Sequence, residues 1–355
     1  VSQEADDRLA VDHSLIGHTA RRAADDAAWA EESGFHGVWA TESVTDAFLQ
    51  CMAGTLRTER VKIGTAIAVA FARNPMTVAY AAWDLAACSD GRFVLGMGTQ
   101  VRAHVERRFS MPWSDPVGRM EDFIHALADI WACWRDGTPL RHEGPYYHHT
   151  LMTPVFSPPH HQHRIPVAVA AVGPKMTELA GRVCDGAILH GMTTVDYLDH
   201  VTLPALDEGL RRSGRTRSDV FLSCPVFMVM GDDQDTIEVL RRRTREQVAF
   251  YASTPAYREI LVPAGYGDLQ PELQKLSRAG RWAEMGGLIE DDLLDRIAVT
   301  GSPEEMPALV RARFGTRIDR VSSYYGWDVA DPDRLAEILA AFGAPTAPED
   351  PGASR

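Results

Sequence analysis

The stretch RFVLGMGT, Arg92 to Thr99, decides the fold class. Its apolar residues do not alternate with polar ones: Phe93, Val94, Leu95 and Met97 run together, broken only by glycines at 96 and 98. A strand that is apolar on both faces is covered on both faces, which is the condition of a parallel sheet flanked by helices. Outward from it, similar runs recur: GVWAT from Gly37 to Thr41, VKIGTAIAVA from Val61, IPVAVAAVG from Ile165, GAILHG from Gly186, VFLSCPVFMVM from Val220 to Met230, and RVSSYYG from Arg320. Helical patterns such as PMTVAYAAWDLAAC, EDFIHALADIWACW and KMTELAGRVC separate them. With a less defined strand near LAVDHSL, the strand and helix units come to about eight, the number that closes a (β/α)8 barrel. The pattern predicts one α/β barrel domain over residues 1–342 and a Pro- and acid-rich tail, 343–355, whose composition predicts disorder. An open doubly wound sheet is the competing arrangement. Two spacings, Gln100 to Arg164 and Gly231 to Asp319, are too long for single units, so each is expected to carry an inserted segment on the ligand face.

Composition narrows the function. The 355 residues are 45% hydrophobic and carry a formal net charge of -13. That charge disfavours a nucleic-acid partner, whose affinity rests on Lys and Arg neutralising phosphates. Five widely spaced cysteines, Cys51, Cys88, Cys133, Cys184 and Cys224, form no CxxC pair and are read as reduced thiols. No apolar run is long enough for a membrane span, and the N-terminus is acidic where a signal peptide would be basic. A cytoplasmic protein acting on a small molecule is expected.

Behind RFVLGMGT come Gln100 and VRAHVERRF, so small residues lead directly into Arg102, Arg107 and Arg108. This suits a ligand that approaches the backbone and carries negative charge. A dinucleotide fingerprint would need a third glycine where Val101 stands.

Four segments taken in order, GFHGVWATES, IGTAIAVAFARNPMTVA, GRFVLGMGT and IPVAVAAVGPKMTELAGRVCDGAI, resemble the bacterial-luciferase-like superfamily, in particular its branch of oxidoreductases that use coenzyme F420. The resemblance runs from about Gly34 to Trp327 and implies a (β/α)8 barrel, a coenzyme across the strand ends, hydride transfer at its C5 atom and a homodimer. It implies a non-prolyl cis peptide at Ala66–Ile67, with Ala66, Ile67 and Ala68 behind the deazaflavin ring. Gly98, Thr99 and Gln100 would pass the ribityl chain, and Arg107 would meet the acidic tail. Ala171, Val172, Gly173 and Pro174 would form a phosphate cradle at a helix N-terminus.

At the second strand's end, Trp39 and Thr41 match the family, but Glu42 and Ser43 stand where F420-dependent relatives often carry Asp-His. Glu42 and Ser43 are the candidate catalytic residues. A serine has no pKa near neutrality and cannot replace histidine as a general acid by itself. The resemblance therefore favours reduction of an activated C=C or C=N bond over alcohol dehydrogenation. An FMN-dependent monooxygenase is the alternative, and a coenzyme-binding protein without turnover is the alternative of another class. The run HHTLMTPVFSPPHHQH has histidines but a proline-rich, extended setting with no acidic or Cys partner, so no metal is assigned.

Overall fold

The computed structural model describes residues 9–327 and 329–343. The tail expected to be disordered lies outside the described residues from position 344 on. Ten strands build the main sheet: β1 (Ala10–Ile16), β2 (Gly37–Thr41), β3 (Lys62–Thr65), β4 (Ala68–Val69), β5 (Phe93–Gly98), β6 (Val167–Ala170), β7 (Gly186–Ile188), β8 (Phe221–Met230), β9 (Ala298–Gly301) and β10 (Arg320–Ser323). Pairing runs β1-β2-β3-β5-β6-β7-β8-β10 and returns to β1, every pair parallel. That circuit is a closed (β/α)8 barrel, so the open sheet is excluded.

Alternation along the strands sorts their side chains. Val11, Val38, Ile63, Leu95, Val169 and Leu222 face the surrounding helices. Trp39, Val94, Ala168 and Ile188 fill the barrel. Gly64 makes room for this plug, because a Cβ there would lie 2.5 Å from the Trp39 ring. Beneath it, Arg320 donates to both oxygens of the fully buried Asp12, at 2.8 and 2.5 Å, so this interior charge is paired.

The first long spacing departs from expectation, and the second holds the expected insertion together with an extra strand. Between Gln100 and Arg164 lies a 21-residue helix, Pro116–Asp136, which the Asp115 side chain caps by accepting from the Val117 and Gly118 amides. It packs between helices Pro75–Cys88 and Pro174–Val183, so this spacing holds part of the barrel's own outer layer. The Gly231–Asp319 spacing hides β9, which the sequence reading passed over. β8 is ten residues long: Ser223–Val226 pair with β10 inside the barrel, and Phe227–Met230 continue beyond it to pair with β9. The helices between β8 and β9 have their own apolar cluster, with Val248, Ala252, Leu261, Leu273 and Leu293 closing over Phe227 and Val229.

All five cysteines are free, Cys88 exposed and the others buried. Among the described residues no helix is long and apolar enough to cross a membrane.

Candidate functional site

The C-terminal ends of β2 to β6 bring Thr41 and Ser43, Ala66 and Ile67, Thr99 and Gln100, and Val172 and Gly173 to one end of the barrel, each partly exposed. The third strand breaks there. β3 stops at Thr65, the Ala66–Ile67 peptide is cis at the bond the resemblance implies, and the strand resumes as β4.

The end of β2 satisfies the backbone of this irregular stretch, as buried polar groups require. The Thr41 hydroxyl donates to the Ala66 carbonyl at 3.1 Å, the Ala66 amide donates to the Ala40 carbonyl at 2.8 Å, and the Glu42 amide donates to the Ile67 carbonyl at 3.3 Å. Glu42 completes the set, its carboxylate accepting the Val69 amide at 2.7 Å and Arg73 Nη1 at 2.8 and 2.9 Å. The other arm of Arg73 donates to Asp46 at 2.6 Å. With its side chain 8% exposed and both oxygens engaged, Glu42 braces the third strand. The geometry gives it a positioning role in place of the catalytic one expected.

Two further assignments change. Gly98 is buried, and a Cβ on it would come within 2.8 Å of two Ile67 side-chain carbons, so its smallness admits Ile67 before it admits any ligand. Ala68 is 1% exposed and paired to Met97, which sets it in the wall and leaves Ala66 and Ile67 as the exposed part of the break.

Beyond β5, Gln100 has a positive φ of 60° and its side-chain oxygen accepts the Val101 amide at 2.9 Å. In the short helix Arg102–Arg107 that follows, Arg102 pairs with Glu106 at 3.0 Å. Arg108 donates to the Ser43 carbonyl at 2.7 Å, linking this helix to the end of β2. Arg107 is exposed and has no side-chain hydrogen bond or ion pair among the described residues.

Beyond β6, Ala171 is buried, Pro174 is exposed, and the helix Pro174–Val183 starts at Gly173 with no side-chain cap. The Lys175 and Met176 amides have no acceptor among the described residues, and a Cβ on Gly173 would meet nothing within 4 Å. Open space against unpaired amides at a positive helix end suits a phosphate, and the partly exposed apolar surface of Ala66 and Ile67 suits a planar ring.

The opposite rim is aromatic, and the sequence reading reached only part of it. Tyr324 ends the run RVSSYYG read as a strand, whereas His190, beyond β7, and Tyr251, in the helix Gln234–Ala252, carried no signal in the sequence. The His190 ring lies 4.5 Å from that of Tyr251 and 4.9 Å from that of Tyr257. Its Nδ1 accepts the Met192 amide at 3.0 Å, which fixes the proton on Nε2, and burial pushes the imidazole down to about 4. The Tyr251 and Tyr324 hydroxyls share a short hydrogen bond. Among the described residues no group of three or more His, Cys, Asp or Glu side chains could hold a metal.

A closed (β/α)8 barrel with a broken third strand and an uncapped helix at its mouth defines the class of protein. The model of the luciferase-like monooxygenase family matches residues 5–320, and the chain belongs to that family. An uncharacterized protein of Mycobacterium tuberculosis is 48% identical over 315 residues, covering 88% of this chain and 92% of its own. The 5,10-methylenetetrahydromethanopterin reductase of Archaeoglobus fulgidus is 25% identical over 283 residues, 78% of this chain and 81% of its own. The structure of the coenzyme F420-dependent tetrahydromethanopterin reductase from Methanopyrus kandleri superposes with a TM-score of 0.74 at 18% identity, covering 94% of this chain and 97% of its own.

Proposed function

We propose that this protein is an F420-dependent oxidoreductase, acting as a reductase on an activated C=C or C=N bond of a small organic molecule. The observation that carries the reading is the pairing of the Ala66–Ile67 break with the open helix start at Gly173 on one barrel mouth. Ala66 and Ile67 would back the ring, with Thr41 and Glu42 holding that backbone in place. Thr99, Gln100 and Val172 would line the path to the phosphate, and the Lys175 and Met176 amides at Gly173 and Pro174 would receive it. Arg107 is free to meet a carboxylate tail. Bound and reduced, the coenzyme supplies a hydride from C5, and the barrel holds the acceptor against it, which is how a protein contributes to cofactor chemistry. Ser43 lacks the basicity for alcohol oxidation, which favours the reductive direction.

Spectral titration of the purified chain with F420 and with FMN tests this. F420 is expected to bind tighter, and Arg107→Ala to weaken it about two- to fivefold at low salt and less at high salt, the range of an exposed charge pair. Tighter binding of FMN would favour the oxygen-using monooxygenase. Size-exclusion chromatography reads the homodimer that the family resemblance implies.

A further inference from the structure

The proposed reductase has no histidine at position 43, so the group that receives negative charge as hydride arrives must come from elsewhere. One polar corner of the mouth keeps donors without a partner among the described residues. His190 lies two residues beyond Ile188, and Leu189 still pairs with the barrel by donating to the Ser223 carbonyl at 2.8 Å. By alternation His190 therefore projects to the same inner side as Ile188, which fills the barrel against Gly96. A Cβ on Gly191 would come within 3.4 Å of the Tyr324 ring, so the ends of β7 and β10 meet here. The ring of Tyr324 in turn stacks 4.3 Å from Phe227.

Nδ1 of His190 is occupied by the Met192 amide, which leaves Nε2–H as a donor with no partner among the described residues. Either oxygen of the Tyr251–Tyr324 pair can be the donor; with one proton held between them, the pair keeps one hydroxyl proton for a ligand, and an oxyanion beside Tyr324 draws it there by having Tyr251 donate to Tyr324. Burial holds the imidazole neutral and raises the Tyr324 phenol, so both keep these protons at neutral pH. Two neutral donors framed by aromatic rings can stabilise an oxyanion, and a neutral imidazole can polarise a carbonyl. They are poor at protonating an imine, which calls for an acid.

We infer that His190 Nε2–H and the Tyr324 hydroxyl form the oxyanion-binding corner of the substrate pocket, and that the substrate is an α,β-unsaturated carbonyl compound. The inference rests on the reductase reading. Hydride adds to the β-carbon of the substrate, the C=C electron pair shifts toward the carbonyl, and the oxygen takes the charge between the two donors. Water then delivers a proton to the α-carbon and is repaid by the proton that reduced F420 releases on giving up its hydride, so the C=C bond gains one hydride and one proton and F420H2 is converted to F420.

The test uses the full chain and 4-nitrophenol, whose phenolate mimics the oxyanion and absorbs visibly. Wild type is expected to bind it as the phenolate; His190→Phe and Tyr324→Phe are each expected to weaken that binding at least tenfold while F420 affinity stays within threefold. The tyrosine variant removes a single oxygen and so covers a histidine variant that does not fold. Nitrogen NMR of labelled protein should show His190 as the Nε2–H tautomer, and 2-cyclohexenone turnover should lose kcat more than KM in both variants. Absence of phenolate binding in wild type, binding in either variant as tight as in wild type, or an Nδ1–H tautomer would each overturn the inference. Failure of F420 to bind with the phenolate results intact would instead overturn the coenzyme reading.

Discussion

Arg73 and Glu42 meet at the break in the third strand, Nη1 lying 2.8 and 2.9 Å from the two carboxylate oxygens while the side chains are 19% and 8% exposed. Removing one partner of such a pair leaves a charge poorly solvated, although Asp46 still holds the other arm of Arg73. Glu42→Gln is therefore expected to cost about 2–3 kcal/mol of stability, read by urea denaturation, and to weaken coenzyme binding with it. Loss of kcat with unchanged stability and binding would return Glu42 to acid-base chemistry.

The contact of Ile67 with Gly98 leads to a second expectation. Gly98→Ala places a carbon 2.8 Å from the Ile67 side chain and should cost about 1–3 kcal/mol through overpacking. Ile67→Ala added to it should recover part of that loss, because the two changes share one volume. Strict additivity in a double-mutant cycle would sink this account of the glycine.

Gly173 offers the reverse case. Its φ of -96° and ψ of 160° are open to any residue, and a methyl group there would touch no protein atom within 4 Å. Gly173→Ala should leave the melting temperature almost unmoved yet weaken F420 about tenfold, near 1.4 kcal/mol, by filling the phosphate's space. Unchanged affinity measured by titration would remove this helix start from the site.

Acid sensitivity follows from two buried imidazoles. Burial lowers both His13 and His190 from 6.5 to about 4. The unfolded chain then binds more protons than the folded one between those values, so the stabilisation is complete above pH 6.5 and is lost as pH falls toward 4. Each group accounts for up to about 3 kcal/mol at the limit. Urea midpoints at pH 7.5 and 5.0 measure the slope, and His13→Phe, a ring between Trp29 and Phe35, should flatten it.

Most of the barrel could be read from its strands because burial on both faces writes itself as unbroken apolar runs. β9 escaped because its four residues, Ala298 to Gly301, are short, small and partly polar, with no signal to distinguish them from a helix end. The mouth was legible through the residues of the resemblance, which lie at strand ends. The role of Glu42 was not, since Arg73 stands 31 positions away and nothing local announces the pair. His190 and Tyr251 were missed for a similar reason: one follows a strand and the other lies on a helix in the long segment, and topology alone makes them neighbours.

The length of β8 has a practical outcome. Its second half pairs with β9 in register, Met230 opposite Gly301, and the Gly231 amide donates to the Gly301 carbonyl at 3.4 Å. Because the two strands run parallel, the chain leaves at Met230, opposite Gly301, and re-enters at Ala298, opposite Phe227, one strand spacing across and three residues, about 10 Å, back along the strand. What lies between is a cassette with clamped ends. A segment of different shape that spans the same two points is expected to leave the barrel register in place, and because this segment carries Tyr251 and Tyr257, under the proposed reductase reading its exchange would change the acceptor side of the mouth.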